Sequence, residues 1–321
     1  MLGARGLLAV FFSTLFLLTS SPIIGAQDDD SSYIRAESLV VVVHDNVSHD
    51  SDAYTQGLEF YQGRLFESTG LYNESTLREV NLSTGEVIRS IDLNASEFGE
   101  GMTFVDDEII QLTWEEGIAH RYDMETFDEI ANYTYEGEGW GLVYDGTHLI
   151  MSNRTDVLTI RNATTFEIEG TLNVTRNGQP LPMINEMEMF EGLLLANIYQ
   201  TEEIVGIDLG SGVVVLNIDA SGLRPNGTGV MNGIAFDSTT GSLWITGKNW
   251  PVMYNITFAE PEPEPQPTPE IESPDSSTAS DVNPIFSEAV LAILLVAVVV
   301  LWAMNLKDGV HNPPNGGRPD E

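Results

Sequence analysis

The chain has 321 residues and a formal net charge of −36, with 49 acidic side chains against 13 Lys and Arg. This charge excludes nucleic acid as a partner, because phosphate binding needs clustered cationic side chains. The chain has no cysteine, which excludes disulfides and thiolate metal sites.

The N-terminus has the features of a secretory signal peptide, which we predict over residues 1–26. Arg5 supplies a positive charge, residues 7–18 are mostly apolar, and small or apolar residues follow up to Ala26. Cleavage after Ala26 would make Gln27 the first residue of the mature chain. The sequence therefore predicts an exported protein.

Short apolar-alternating runs separated by Gly, Asn, Asp and Ser fill residues 38–258, and this pattern predicts an all-β domain. Five segments within it align without gaps at intervals of 40 to 46 residues, and each is followed by a turn and further strands. Units of this length with four strands are typical of β-propeller blades. We therefore predict a five-bladed β-propeller, with Leu39–Val43 as the outer strand of the last blade.

In a propeller the first strand of each blade lines the central channel. One residue in each repeat, four times followed by glycine, then occupies an equivalent channel position; these are Gln56, Glu100, Trp140, Glu186 and Asn232. Four can form hydrogen bonds and one is a large aromatic, which favours a functional site. The alternative is that they bind backbone groups and hold the inner strands together.

Ten Asn-x-Ser/Thr sequons lie between the signal and the stalk, and they predict a glycosylated surface. The alternative is that these residues are simply common in the turns of a β-protein. The sequons begin at Asn46, Asn73, Asn81, Asn94, Asn132, Asn153, Asn162, Asn173, Asn226 and Asn255.

The C-terminal part predicts a membrane tether. Residues 259–283 are rich in Pro, Glu and Ser and should form an extended stalk. Residues 284–306 predict one transmembrane helix, since the uncharged stretch 289–306 would cross about 27 Å as a helix. Lys307 follows, which places the tail 307–321 in the cytoplasm and the propeller outside the cell, in a single-pass protein of the cell membrane.

Several short runs together resemble the plant- and bacterial-type glutaminyl-peptide cyclotransferases. They fall in order over nearly the whole body and comprise residues 54–58, 67–72, 98–103, 111–114, 138–142, 184–188, 232–235 and 246–251. The resemblance implies a five-bladed propeller that converts the N-terminal glutamine of peptides or proteins to pyroglutamate and releases ammonia, with no required cofactor. Tyr54 departs from the family's usual phenylalanine, and Tyr199 stands where a tryptophan is expected.

This cyclisation is intramolecular, so the enzyme must fold the glutamine side chain back, move protons and stabilise an oxyanion. Glu100 is the first candidate for the general acid and base. The glycines on both sides of it are expected to let the substrate backbone approach closely. Lys248 is the only lysine before the tail, and we expect its charge near the developing oxyanion or the catalytic carboxylate.

The other candidate residues would recognise the substrate. The amides of Gln56, Asn185 and Asn232 can each donate to and accept from a primary carboxamide. Glu186 is the second candidate carboxylate, or else orients its neighbours or pairs with Lys248. The pocket walls are predicted to be Trp114, Trp140, Tyr199 and Trp250, although Trp250 could equally serve packing.

No pair of histidines has metal-ligand spacing, so we expect no catalytic metal, while calcium held by oxygen atoms in the channel stays compatible with the sequence. Two other functions remain open. One is a metal-dependent lactonase-type hydrolase that uses Glu100, Asn185 and Asn232 as ligands. The other is a non-catalytic surface propeller that binds a peptide or glycan.

Overall fold

The computed structural model describes residues 34–263, and this part of the chain is all-β, without a helix. Within these residues no helix is long and apolar enough to cross a membrane. The predicted signal peptide, transmembrane helix and tail, and most of the stalk, lie outside the described residues. Those assignments therefore stay predictions.

The first strand, β1 (Glu37–Ser48), belongs to the last sheet, and three separate four-stranded antiparallel sheets follow it. Strands that are consecutive in the chain are neighbours in each sheet. The first sheet contains β2 (Thr55–Tyr61), β3 (Arg64–Thr69), β4 (Thr76–Val80) and β5 (Val87–Asp92). The second contains β6 (Gly99–Val105), β7 (Glu108–Thr113), β8 (Ile118–Asp123) and β9 (Glu129–Thr134). The third contains β10 (Leu142–Tyr144), β11 (His148–Met151), β12 (Val157–Asn162) and β13 (Ile168–Asn173).

The remaining strands form one larger sheet made of two four-stranded units. A short hairpin of β14 (Thr175–Arg176) and β15 (Gln179–Pro180) pairs with the outer strand of the first unit. That unit contains β16 (Ile184–Phe190), β17 (Leu193–Ile198), β18 (Glu203–Asp208) and β19 (Val213–Asp219). The second unit contains β20 (Met231–Asp237), β21 (Ser242–Gly247), β22 (Val252–Ala259) and β1.

The placement of β1 confirms the prediction for Leu39–Val43. It pairs antiparallel with β22, from Val40 opposite Ala259 to Ser48 opposite Val252. The chain thus completes its last unit with a strand from its beginning, which covers the edge of β22. The sequence did not predict that β1 also pairs in parallel with β19, which merges the last two units into one sheet.

The first strands of the five units contact one another in a closed order, β2 to β6, β10, β16, β20 and back to β2. Their glycines make this approach possible. A Cβ added at Gly57 would lie 2.7 Å from Met102 N, and one at Gly101 would lie 2.5 Å from Trp140 O. The repeated glycine therefore lets neighbouring first strands meet backbone to backbone.

Irregular pairing marks the equivalent channel position in four of these strands. The register of each first strand against its neighbour shifts between Thr55 and Gly57, Gly99 and Met102, Ile184 and Met187, and Met231 and Ile234. A bulge releases a residue from the ladder and redirects its side chain. The shifts therefore free the predicted channel residues from regular pairing.

The hydrophobic core of residues 34–263 consists of five buried clusters, each packed mainly between one unit and the next. Between the first two units, the rings of Phe66 and Phe104 lie 4.8 Å apart. Leu58 and Trp244 belong to the cluster that joins the last unit to the first. Full burial of one such side chain contributes about 1.5 to 3 kcal/mol, so every junction stabilises the ring.

Candidate active site

A cavity of about 470 Å³ opens beside the first strands. Seven predicted site residues line it: Gln56, Glu100, Trp114, Trp140, Asn185, Tyr199 and Lys248. The structure therefore brings most of the candidates together, although they come from all five units. Asn232, Glu186 and Trp250 do not line the cavity.

Glu100 lies in the irregular part of β6, where its side chain leaves the strand ladder, and the residue is 5% exposed. Gln56 Nε2 donates a 2.9 Å hydrogen bond to Glu100 Oε1, while Oε2 accepts none from the described residues. Burial raises the pKa of Glu100 well above its usual value; Lys248 opposes this, and Glu138 and Glu116 add to it. A carboxyl with a raised pKa and one free oxygen suits proton transfer.

The glycines beside Glu100 serve a purpose different from the predicted one. A Cβ at Gly99 would lie 2.6 Å from Thr69 O, and Gly101 faces the backbone of the next first strand. Protein backbone therefore occupies the space that the prediction reserved for substrate. The glycines are needed because the strands around Glu100 pack so closely.

Lys248 directly follows β21 and lines the cavity. Its backbone is held between Val230 and Gly229 by hydrogen bonds of 2.9 and 2.8 Å. Its Nζ lies 4.7 Å from the ring centre of Tyr54 and 5.4 Å from that of Tyr199, and it forms no ion pair within 4.0 Å in residues 34–263. Burial lowers the pKa of Lys248 to about 8, and the charge of Glu100 opposes this shift. Its ammonium is thus held by aromatic faces and remains available to a substrate oxygen.

A chain of hydrogen bonds runs from Asn232 through Gln56 to Glu100. Asn232 Nδ2 donates to Thr55 O at 3.0 Å and to Gln56 Oε1 at 3.1 Å. This fixes the Gln56 amide with its nitrogen toward Glu100. Asn232 was expected to contact substrate, but its amide nitrogen is bound to the protein, and it orients Gln56 instead.

Asn185 has the opposite character, because it lines the cavity and its side-chain amide takes part in none of the hydrogen bonds among residues 34–263. Its backbone is fixed, since Ser152 Oγ donates to Asn185 O at 3.0 Å and accepts from Gly141 N at 2.7 Å. Asn185 therefore offers both a donor and an acceptor to a ligand carboxamide.

Aromatic side chains wall the cavity in two groups. Tyr54, Phe98 and Trp114 form one, with ring centres 6.1 and 5.6 Å apart along the series. Trp140 and Tyr199 form the other, at 5.3 Å in an edge-to-face arrangement. Such walls exclude water, which strengthens the electrostatic contacts inside.

Glu186 and Trp250 have structural contacts. Glu186 accepts the backbone N–H of Ile234 at 2.8 Å and that of Leu58 at 3.4 Å, so it links three first strands, as the structural alternative proposed. It forms no ion pair with Lys248. Trp250 is fully buried, and its Nε1 donates to Gly229 O at 3.0 Å. The indole of Trp250 therefore secures the loop that carries Lys248 and is not a wall of the cavity.

Four further residues line the cavity: Tyr54, Phe98, Arg154 and Met183. Tyr54 and Phe98 lie in the quoted family runs, which was a usable signal. Arg154 and Met183 lie in loops and belong to none of those runs. Both have a left-handed backbone, with φ of 73° and 70°, which a sequence does not reveal.

No group of three or more His, Asp or Glu side chains within residues 34–263 is arranged to hold a metal ion. The predictions about calcium and about cofactors are untested by this observation.

A buried carboxyl, a lysine and a carboxamide thus meet in one aromatic-walled cavity, an arrangement typical of an enzyme active site. The chain belongs to the glutamine cyclotransferase family, whose model matches residues 15–258. It is 35% identical over 218 residues to a glutaminyl-peptide cyclotransferase of Arabidopsis thaliana, covering 65% of this chain and 68% of that relative. The crystal structure of Myxococcus xanthus glutaminyl cyclase matches with a TM-score of 0.65 and 33% identity, over 70% of this chain and 98% of the solved one. The resemblance seen in the motifs is confirmed.

Proposed function

We propose that this protein converts the N-terminal glutamine of peptides or proteins to pyroglutamate and releases ammonia. The observation that carries the proposal is the meeting of Glu100, Lys248 and the free amide of Asn185 in one cavity. The family and the names of both relatives agree with it. The two other functions left open by the sequence have no comparable support.

The reaction needs one proton to move twice. The α-amine nitrogen attacks the γ-carboxamide carbon and forms the ring C–N bond, while Glu100 takes a proton from that nitrogen. Lys248 and Asn185 Nδ2 stabilise the negative oxygen of the tetrahedral intermediate. Glu100 then returns the proton to the amide nitrogen, the old C–N bond breaks, and ammonia leaves.

The raised pKa of Glu100 favours both transfers, because it brings the carboxyl closer to the pKa of a peptide amine. Gln56 anchors one carboxylate oxygen and leaves the other to face the substrate. No covalent intermediate with the protein is needed, since nucleophile and electrophile belong to one residue.

We also propose that the fold is a five-bladed β-propeller. The four-stranded units, the closed order of contacts among first strands and the five clusters between units support it. The cavity would then lie at one mouth of the central channel, where ligands of such rings bind.

We further propose that the domain is exported, glycosylated and tethered to the membrane. None of the ten sequon asparagines is buried, which a glycosylated surface requires. Mass spectrometry of protein from its native cells should find glycans at these asparagines, and external protease should release the domain from intact cells. Unmodified asparagines together with protection from protease would refute this proposal.

The activity is tested with the full chain purified in detergent. A short peptide that begins with Gln should release one ammonia per molecule and lose the corresponding mass. The same peptide with an acetylated α-amine should release none, because it lacks the nucleophile. A chelator should leave the rate unchanged if no metal takes part. Absence of product from the free Gln peptide with folded protein would refute the proposed function.

A further inference from the structure

One carboxylate outside the proposed chemistry contacts three side chains of the cavity wall. Glu138 Oε2 accepts hydrogen bonds from Trp140 Nε1 at 3.0 Å and from Trp114 Nε1 at 3.2 Å. Its other oxygen, Oε1, lies 3.4 Å from Arg154 Nη1. All three partners line the cavity, whereas Glu138 itself does not.

These contacts close a gap in the aromatic wall. Trp114 ends one aromatic group and Trp140 begins the other, and the two indoles meet only through the Glu138 carboxylate among the contacts described above. Lys248 spans the opposite gap, since its ammonium lies over both Tyr54 and Tyr199. The two aromatic groups are thus linked at one end by the Glu138 carboxylate and at the other by the Lys248 ammonium.

The chemistry of the indole explains why a carboxylate is needed. Each indole has a single N–H donor and no acceptor, and both indoles donate to the same oxygen, Glu138 Oε2. An ionised carboxylate can accept all three donors at once, and charge-assisted bonds are stronger than neutral ones. A glutamine would keep one acceptor oxygen but turn an N–H₂ group toward one of these donors.

We propose that Glu138 is a positioning residue that holds Trp114, Trp140 and Arg154 in the geometry that binds a glutaminyl peptide. This inference rests on the proposed function. Glu138 acts through the walls and not on the reacting atoms, so its removal should weaken substrate binding more than it slows proton transfer.

The test compares Glu138→Ala and Glu138→Gln with Glu136→Ala in the full chain. Glu136 is an exposed acid two residues away with no side-chain hydrogen bond in the described structure, so it controls for the lost charge. Glu138→Ala frees three wall side chains at once and should raise KM about tenfold, which corresponds to a loss of about 1.4 kcal/mol in substrate binding. Its kcat should change less than about threefold, Glu138→Gln should lie between, and Glu136→Ala should match the parent.

Two further measurements separate positioning from general damage. Trp140→Phe removes the indole donor. The double variant Trp140→Phe/Glu138→Ala should therefore raise KM by less than the product of the two single-variant increases. Tryptophan emission of Glu138→Ala should shift relative to Glu136→Ala, because the indoles lose a charged partner, while thermal unfolding stays cooperative.

The outcomes distinguish this inference from the proposed function. An unchanged KM in Glu138→Ala, or a fall in kcat at constant KM, would overturn the positioning role while the cyclase activity stood. If the parent protein shows no turnover, the proposed function fails. In that case the tryptophan emission shift still tests whether Glu138 holds the walls. Absence of a shift would overturn the positioning role too.

Discussion

Gln56 donates through Nε2 to Glu100 Oε1 at 2.9 Å, and its own Oε1 accepts from Asn232, so the orientation of the Glu100 carboxyl is set by two neighbouring first strands. A hydrogen bond donated to a carboxylate favours its ionised form. We therefore expect this bond to oppose the burial that raises the pKa of Glu100.

Replacing Gln56 should expose that effect. Gln56→Ala leaves Glu100 Oε1 without its donor, so the pKa of Glu100 should rise further and the acidic limb of the kcat profile should move to higher pH. The measurement is kcat for a Gln peptide across pH, with Gln179→Ala at an exposed position as the control. A limb that stays in place would show that the bond does not tune Glu100.

The basic limb of the same profile should report Lys248. Burial lowers the pKa of its ammonium to about 8, so the charge is present below that pH and lost above it. Activity should fall as pH rises through this range, and Lys248→Arg should move the fall to higher pH with a lower kcat, because the guanidinium has a different shape.

The chain allows a direct titration of this group, since Lys307 is its only other lysine. In a Lys307→Arg protein, the rate of acetylation of Lys248 by limiting acetic anhydride can be followed across pH by mass spectrometry. We expect an inflection near 8 in folded protein. In urea it should return to about 10.4, the ordinary lysine value. An inflection above 10 in folded protein would show that the pKa of Lys248 is not lowered.

A buried ion-pair network supports the loop of Lys248 from behind. Glu67 is fully buried and binds Arg78 Nη2 at 2.6 Å and His49 Nε2 at 3.0 Å, while His49 Nδ1 contacts Trp250 O at 2.7 Å. Burial of Glu67 opposes ionisation, but His49 and Arg78 outweigh it and hold the pKa of Glu67 at about 2. The stabilisation is therefore present above the unfolded carboxyl pKa and is lost as pH falls toward 2.

Glu67→Gln should lower the free energy of unfolding by about 3 kcal/mol or more, since the buried Arg78 would keep only the more exposed Asp50 as an ionic partner. Urea unfolding at neutral pH measures this. Glu125→Gln removes an exposed partner of Arg64 and should cost less than about 1 kcal/mol. Equal effects of the two substitutions would refute the special role of the buried network.

A second buried group of carboxyls should make stability depend on pH in the opposite direction. Burial, together with Glu59 and Glu186, raises the pKa of Glu188 well above its usual value. The folded protein then holds this proton more tightly than the unfolded chain, so stability is lost as pH rises above the unfolded value of about 4.3.

Glu188→Gln removes that loss. Calorimetry should show that Glu188→Gln unfolds at a higher temperature than the parent at pH 8. The difference between the two proteins should be smaller at pH 4.5. Glu191→Gln, an exposed acid at the end of the same strand, should show no such difference. A constant offset at both pH values would show that Glu188 does not hold its proton in the folded state.

Repetition in the sequence predicted much of this architecture, because a fixed period makes strands and channel positions equivalent. It could not show which channel residues face the cavity. Gln56, Glu100 and Trp140 do, whereas Glu186 binds backbone groups of two other strands. That difference depends on side-chain direction at each bulge, which no period encodes.

Contacts between distant loops could not be predicted from the sequence either. Glu138 lies in a quoted run, but its partners Trp114 and Arg154 come from other loops. The glycines beside Glu100 were predicted correctly as sites of close approach, and wrongly as sites of approach by substrate. Only the packed structure shows that the approaching backbone belongs to the protein itself.

The most direct test of the account is the kcat of Glu100→Gln for a Gln peptide, measured by ammonia release. The amide keeps the shape and a hydrogen bond to Gln56 but cannot take and return a proton. We predict a fall in kcat of at least about a hundredfold, with peptide binding retained. A variant that turns over at the rate of the parent would contradict the assignment of Glu100 as the group that transfers the proton.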